Sequence, residues 1–137
     1  MDGIFNKLNQ YGLHDTRINK IMVEGENIIL IFNEGVYRLS DSGRETDLTG
    51  ARKLIITVAV TKNADIEDYL NVNKLFRKKR EEISLKQLLK LVDKYSFDVF
   101  SMYFSAFNNE MLIVGDIGKF GAELYISDIV DAEYKVG

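Results

Sequence analysis

The sequence predicts an α+β protein that is predominantly antiparallel β: a sandwich or half-open barrel of eight to nine strands with one main helix, residues 84–95, packed on it. Apolar residues recur at helical spacing over one stretch, Ser84–Tyr95. Elsewhere, short β-branched and aromatic runs alternate with glycine and asparagine, the residues that make hairpin turns. Several of these runs are apolar on both sides of the pleat, which is typical of strands that are covered on both faces.

The helix is predicted by four apolar residues that follow each other at intervals of three and four, Leu85, Leu88, Leu89 and Val92. Ser84 precedes them and can accept a hydrogen bond from an amide of the first turn. Lysines and other polar residues occupy the opposite side. We therefore expect the helix to cover an apolar face of the sheets, opposite a second sheet, and to expose its polar side to water.

The first half of the chain predicts a β-meander after a lead-in whose apolar residues are Ile4, Phe5 and Leu8. Its segments are strands at Arg17–Glu24, Ile28–Phe32 and Val36–Ser40, a polar surface loop at Asp41–Gly50, and a strand at Lys53–Thr61. Ile28–Phe32 and Lys53–Thr61 carry apolar residues on both sides, so we expect both to be central strands.

The segment 65–80 is compatible with two structures. Asp65 can cap a helix that runs through Ile66 and Leu70, or Tyr69–Phe76 can form a strand that ends at a charged turn, Arg77–Glu82. The strand is favoured, because a helix would place the polar Asn73 on its apolar side.

The second half predicts a hairpin and an amphipathic end. A strand at Phe97–Phe107, a turn at Asn108-Asn109 and a strand at Met111–Asp116 follow the helix. From Ala122 onward apolar and polar residues alternate, which indicates either one half-buried strand or two strands that meet at a bend. Asp128 falls on the apolar side of this alternation, and the two explanations are a β-bulge, which is favoured, and a buried acid with a partner.

Aromatic residues supply the candidate binding surface. Strict alternation assigns Phe97, Val99, Tyr103 and Phe107 to one side of their strand and Phe100, Met102, Phe104 and Ala106 to the other. An exposed aromatic patch is typical of protein–protein contact. The residues predicted to bind a partner are Tyr103, Phe107 and Tyr125.

Length and composition limit the classes of function. A length of 137 residues predicts a single domain (1–137), and 18 basic against 21 acidic side chains leave a net charge of −3, which argues against nucleic-acid binding. The chain has no cysteine and no apolar run that could cross a bilayer, and because its first residues lack a basic region followed by an apolar run, no secretory signal is expected. A cytoplasmic protein without membrane attachment, cofactor or metal is expected.

Few residues indicate catalysis. His14 stands next to Asp15, and a histidine of ordinary pKa suits general-base chemistry, but no nucleophile motif accompanies the pair. Residues 115–121 contain three glycines without the spacing of a phosphate loop, so a tight loop between strands is expected. The basic run Arg77–Arg80 is followed by two glutamates and is interpreted as a solvated turn. His14, Asp15 and Asp128 remain the candidate polar site.

The opening Leu13-His14-Asp15 is followed by Ile18, Ile21, a glutamate–glycine turn and the apolar run Ile28–Phe32. This pattern resembles the opening of several families of small bacterial β-rich proteins. Some of these families are toxin-immunity proteins. The resemblance covers about the first third of the chain and the β-rich layout with one late helix. It implies a cytosolic, acidic, non-enzymatic protein that binds another protein.

The sequence therefore supports a protein-binding function, with neutralisation of a toxin as the specific form that the resemblance implies. One alternative is a small-ligand-binding β-barrel with a pocket beside the helix, lined by Tyr103, Phe104 and Tyr125. Another is a hydrolase or isomerase that uses His14 and Asp15. A long strand at a sheet edge can also pair with its symmetry mate, so a homodimer is a further expectation.

Overall fold

The computed structural model describes residues 3–137 and contains two α-helices, thirteen strands and one 3₁₀ turn. The helices are α1 (Ile4–Leu8) and α2 (Leu85–Tyr95). The strands are β1 (Tyr11–Gly12), β2 (Arg17–Ile18), β3 (Lys20–Glu24), β4 (Asn27–Phe32), β5 (Tyr37–Leu39), β6 (Glu45–Leu48), β7 (Arg52–Val58), β8 (Leu70–Phe76), β9 (Lys79–Ile83), β10 (Phe97–Ser105), β11 (Glu110–Ile117), β12 (Phe120–Ile126) and β13 (Ile129–Val136).

All strand pairs are antiparallel, and the strands form three sheets. The six-stranded sheet has the order β2-β10-β11-β12-β8-β9 and the four-stranded sheet the order β13-β7-β4-β3. A small third sheet, β1-β5-β6, extends the molecule. One core cluster joins residues of both large sheets with both helices. The mainly antiparallel α+β sandwich is confirmed, and the sheets do not close into a barrel.

The core consists of every second residue of the facing strands. On the four-stranded sheet Leu30, Leu54 and Ile56 are fully buried, and Ile113 and Leu124 face them from the six-stranded sheet. Alternation of side chains along each strand sends the intervening residues to the outside. On the four-stranded sheet those outward residues are still apolar: Met22, Ile29, Ile31 and Ile55 lie outside the core cluster.

Helix α2 begins and ends as predicted, but it does not cover that outer face. The Ser84 hydroxyl accepts from the Gln87 amide at 3.2 Å, and the Gln87 side chain accepts from the Ser84 amide at 2.9 Å. Leu88 and Val92 are fully buried in the shared core, and α2 contacts β3, β8 and β11. The helix thus continues the layer of the four-stranded sheet beside its edge strand β3, because that is where the six-stranded sheet would otherwise expose apolar residues.

The predicted number of strands is wrong, since eight to nine were expected and the described residues form thirteen. The predicted loop Asp41–Gly50 contains β6, and the predicted strand Arg17–Glu24 divides at Asn19 into β2 and β3. β2 pairs with β10 in one large sheet and β3 with β4 in the other, so this short segment joins the two layers. Such two- to four-residue elements are stabilised by tertiary context rather than by their own sequence.

The ambiguous segment contains parts of both proposed structures. Asp65 caps a 3₁₀ turn, Ile66–Tyr69, and the favoured strand follows as β8. The charged turn is shorter than predicted, because Lys79–Ile83 pairs with β8 as the edge strand β9. Arg77, with φ of 59°, occupies the turn itself.

Two β-bulges shift the alternation of side chains. In β10, Val99 lies opposite Gly115 and Ser101 opposite Val114, which leaves Phe100 as an extra residue. Met102 and Phe104 therefore pack against the core and Tyr103 faces outward, so the predicted grouping of Tyr103 with Val99 is wrong. Gly115 permits the bulge, since a Cβ there would lie 1.9 Å from the carbonyl oxygen of Asp98.

The C-terminal alternation belongs to two strands that meet at a bend, β12 and β13. Asp128 lies in this bend with φ of 53° and is exposed, so it is not a buried acid. The bulge that restores the pattern comes two residues later: Ile129 pairs with Val58 and Asp131 with Thr57, and the extra Val130 is 54 % exposed.

Helix α1 packs on β13, the outer edge of the four-stranded sheet. Lys7 Nζ donates to Asp131 Oδ1 at 2.7 Å, and this hydrogen bond lowers the pKa of Asp131. The Tyr134 hydroxyl donates to the Leu8 carbonyl at 3.0 Å, and burial raises the pKa of Tyr134. Between Gly3 and Gly137, no helix has the length and apolar character needed to cross a membrane.

Candidate functional site

The outer face of the six-stranded sheet carries a row of apolar and aromatic side chains. Tyr103 of β10 lies opposite Leu112 of β11, which lies opposite Tyr125 of β12, and Asn71 of β8 follows. Tyr103 is 60 % exposed, Leu112 and Tyr125 are half-buried, and none of them belongs to the core cluster. The structure therefore brings together two of the three residues predicted to bind a partner; we call this face the tyrosine face.

A second row lies beside the first and adds an apolar residue and an acid. Ser101, Val114 and Glu123 are opposite one another across β10, β11 and β12. The Ser101 hydroxyl donates to the Tyr103 hydroxyl at 3.1 Å, and Arg80 pairs with Glu123 at 3.0 Å. These contacts order the side chains around Leu112 and Val114, two residues that the sequence analysis did not single out.

The surroundings of the tyrosine face are acidic. The Tyr125 hydroxyl donates to Glu110, which also accepts from the Asn108 side chain at 2.9 Å. Glu82, on the neighbouring edge strand, accepts from Asn71 at 3.2 Å. Carboxylates that hold neutral donors keep their negative charge available to a cation, so the face combines an apolar centre with a negative margin.

Phe107, the third predicted partner-binding residue, lies apart from this face. It stands in the tight turn between β10 and β11 and is 99 % exposed. Asn109 has φ of 53° in the same turn, which asparagine tolerates better than most residues. A phenylalanine in full contact with water at a hairpin tip costs free energy in the isolated chain, and contact with another surface would recover it.

His14 and Asp15 form an exposed pair at the opposite end of β10. Their Nδ1 and Oδ1 atoms are 3.5 Å apart, and the side chains are 58 % and 70 % exposed. Asp15 has φ of 60°, and its amide donates to the Val99 carbonyl at 2.9 Å, so it fixes the chain against β10. The neighbouring hydroxyl of Thr16 is buried and donates to the Leu13 carbonyl at 2.6 Å.

Asp128 is not part of a site with this pair. Its carbonyl accepts from the Ala59 amide, and the Ile129 amide bonds to Asn109 at the hairpin tip. Asp15 bonds to Val99 near the other end of β10, about 20 Å away at the usual rise of a strand. The Arg17 side chain donates to Asp98 at 2.7 Å, and this hydrogen bond raises the pKa of Arg17.

An open cleft of about 640 Å³ lies beside the first turn of α2, near the place where the ligand-binding alternative put its pocket. Tyr125 contributes to its wall, whereas Tyr103 and Phe104 do not. The Glu67 carboxylate in this cleft accepts from the Leu85 amide at 2.9 Å, so it completes the cap of the helix. Most of the other lining groups are polar.

The remaining candidate motifs have structural roles. Gly118 occupies the two-residue turn between β11 and β12 with φ of 60°, so the predicted tight loop is confirmed. Within the basic run, Arg77 lies over the Phe76 ring, 5.2 Å from its centroid. Among residues 3–137, no group of three or more His, Asp or Glu side chains is placed to hold a metal ion.

Comparison of the chain with protein-family models, with curated proteins and with solved structures found no significant match.

Proposed function

We propose that this chain is a non-enzymatic, cytoplasmic protein that binds another protein through the tyrosine face. The observation that carries the proposal is the uncovered row Tyr103–Leu112–Tyr125, which lies across three adjacent strands outside the core. Tyrosines in a flat, rigid sheet lose little conformational entropy on binding and offer both apolar area and a hydroxyl.

The charge of the surroundings defines the chemistry of the partner. Glu110 and Glu82 border the apolar row and hold only neutral donors, whereas the charge of Glu123 is compensated by Arg80. A partner with an apolar centre bordered by lysines or arginines is complementary to this arrangement, and complementary charge accelerates association. A basic toxin, neutralised by an immunity protein of this type, fits that description, and the Leu13-His14-Asp15 opening supports the same interpretation.

The two alternatives have less support from the geometry. The cleft beside α2 favours a small polar ligand, but it is open to solvent, and its carboxylate Glu67 is engaged by a backbone amide. His14 and Asp15 are exposed to water and the adjacent Thr16 hydroxyl is engaged by a carbonyl, so the pair lacks a sheltered substrate site.

Leu112→Lys tests the proposal, because it places a charge at the centre of the row while it leaves the core unchanged. Ile55→Lys is the matched control: Ile55 is half-buried on the outer face of the other large sheet. Tagged wild-type and variant chains capture proteins from the native host, and candidate partners are then purified. We expect a partner whose binding is weakened at least about tenfold by Leu112→Lys and weakened further by added salt, but unchanged by Ile55→Lys.

A partner that binds the Leu112→Lys variant normally but no longer binds the Ile55→Lys variant would assign the function to the outer face of the four-stranded sheet. The toxin-neutralising form of the proposal predicts in addition that expression of the purified partner arrests growth and that co-expression of this chain restores it. Full growth arrest in the presence of the wild-type chain would contradict that form.

A further inference from the structure

The six-stranded sheet has one long edge that no strand covers. β2 pairs with β10 at Phe97 and Asp98, and Asp15 and Thr16 bond to Val99. From Phe100 to Ser105 the side of β10 that faces away from β11 makes no backbone hydrogen bond with any part of the chain from Gly3 to Gly137. An unpaired edge of this kind is a template for another strand.

The unpaired backbone N–H and C=O groups of β10 can be identified from the alternating directions of its side chains. Residues of one strand that face the same way direct their N–H and C=O groups to the same neighbour. Val99 faces the core and bonds on the open side to Asp15 and Thr16. Met102 and Phe104 also face the core, so their two N–H and two C=O groups point to the open side.

Phe5 of α1 lies near Phe104, with ring centroids 6.4 Å apart, and the side chains of β10 itself carry no charge that would oppose a second strand. No charged residue occurs between Asp98 and Glu110. Native sheets usually protect such edges with lysines, prolines or very short strands. Here, the exposed edge carries Phe100 at 49 % and Tyr103 at 60 % exposure.

We propose that β10 pairs antiparallel with β10 of a second copy of this chain, about a two-fold axis that passes beside Tyr103. In this register Tyr103 faces Tyr103 of the second copy, Met102 faces Phe104, and Ser101 faces Ser105. The Met102–Phe104 pairs are the hydrogen-bonded ones, so all four free groups on each strand are satisfied. Every cross-strand pair is aromatic, apolar or hydroxyl with hydroxyl, and no like charges meet.

The same register gives Phe107 a place to bind. Two residues beyond Ser105, the hairpin tip of one copy reaches Val99 and Phe100 of the other. A cavity of about 290 Å³ lies there; Val99 and Phe100 form its apolar part, and Asp15, Arg17, Glu34 and Asp98 add charged groups to its wall. The 99 % exposed ring of Phe107 can enter it, and symmetry makes this contact twice. The edge shares Tyr103 with the tyrosine face, but the pairing depends on the backbone groups of β10 and is expected whether or not a partner binds Leu112 and Tyr125.

Sedimentation of the wild-type full chain over micromolar to submillimolar concentrations is the first measurement, and a monomer–dimer equilibrium is expected. Tyr103→Lys places two lysines at the axis and should raise the dissociation constant by tenfold or more, whereas Tyr125→Lys, on the same face two strands away, should leave it unchanged. A chain that stays monomeric throughout, or a dimer that responds equally to both variants, overturns the proposal.

The register is tested separately. The chain contains no cysteine, so Tyr103→Cys introduces a single thiol, which should form an intermolecular disulfide under mild oxidation because non-hydrogen-bonded strand pairs have suitable Cα separations. Tyr125→Cys should remain reduced. Ser101→Lys with Ser105→Glu should preserve the dimer, and Ser101→Lys with Ser105→Lys should dissociate it. If both double variants behave alike, or if Tyr103→Cys does not cross-link, the two-fold pairing is wrong and the edge is left to a strand from another protein.

Discussion

The two ends of the six-stranded sheet differ in how they meet solvent. The edge strand β9 is short and carries Lys79, Arg80, Glu81 and Glu82, all exposed, whereas the edge of β10 is long, uncharged and aromatic. Charged edges prevent strand addition and apolar edges permit it. The proposed pairing through β10 is therefore limited to a closed dimer rather than a fibre, because the other edge of the sheet is protected by charge.

The largest expected effect comes from the bulge that shapes the open edge. Gly115→Ala would bring a Cβ to within 1.9 Å of the Asp98 carbonyl oxygen, so β10 must shift. We expect a loss of about 2 kcal/mol or more in the free energy of unfolding, measured by chemical denaturation. Gly121→Ala is the control, since its Cβ would meet Leu75 at 3.3 Å, and its loss should be clearly smaller. Equal losses would show that the bulge does not depend on Gly115.

The charged edge can be opened by Lys79→Tyr combined with Glu81→Tyr. The variant replaces two of the four charges of β9 with aromatic residues and so weakens the protection of this edge, and we expect concentration-dependent growth of large assemblies detected by light scattering. The lost Lys74–Glu81 pair contributes little to stability, because its atoms are 3.7 Å apart and the Glu81 side chain is 66 % exposed. The matched control Lys79→Glu with Glu81→Lys keeps the edge charged and should stay as soluble as the wild type; if it aggregates equally, charge is not what protects β9.

A third edge, β13, is covered by α1, and Tyr134→Phe tests this cover. The variant removes the hydroxyl that donates to the Leu8 carbonyl and should cost about 1 kcal/mol at neutral pH. Burial raises the pKa of Tyr134 above its unfolded value near 10. The contribution of this tyrosine to the free energy of unfolding is therefore complete below about pH 10 and is lost as the pH rises above that value. The wild-type and variant stabilities should therefore converge in alkali. A constant difference up to strongly alkaline pH would contradict this role.

The smallest effect is expected at the second contact between α1 and β13, the ion pair of Lys7 with Asp131. Lys7 lowers the pKa of Asp131, so this carboxylate contributes stability above its unfolded pKa near 4 and loses it as pH falls. Asp131→Asn should cost less than about 1 kcal/mol, because both side chains are substantially exposed, and salt should reduce the difference. Thermal unfolding at several pH values measures it. A larger loss at acidic than at neutral pH would be the wrong sign.

The sequence is sufficient to predict helix α2 and the packed antiparallel sheets, but it contains no local signal for the β-bulges. The period of α2 and the capping residue Ser84 are local signals, and both appear in the structure where they were predicted. Tyr103 was assigned to the wrong side of β10 because Phe100 is inserted without a partner, and nothing local to Phe100 indicates this. The cause lies in Gly115, which is far from Phe100 along the chain and lies on the paired strand β11.

The candidate site was predictable only in part, because its residues are indicated locally but their alignment depends on the pairing of distant strands. Tyr103 and Tyr125 are exposed aromatics that sequence alone suggests, but their alignment through Leu112 follows from two strand registers. The position of α2 was also set by tertiary competition: the helix fills the gap beside β3 instead of covering Ile29 and Ile55. The separation of Asp128 from His14 likewise depends on how the C-terminal hairpin folds back.

The division of one short segment between β2 and β3 has a mechanical consequence. Ile18 pairs with a strand of the six-stranded sheet and Ile21 with a strand of the four-stranded sheet, and only two residues separate them in the chain. The two sheets therefore cannot slide or separate without breaking backbone hydrogen bonds in both. Amide protons on either side of Asn19 should consequently exchange together, in a single global opening, and the sandwich should unfold as one cooperative unit.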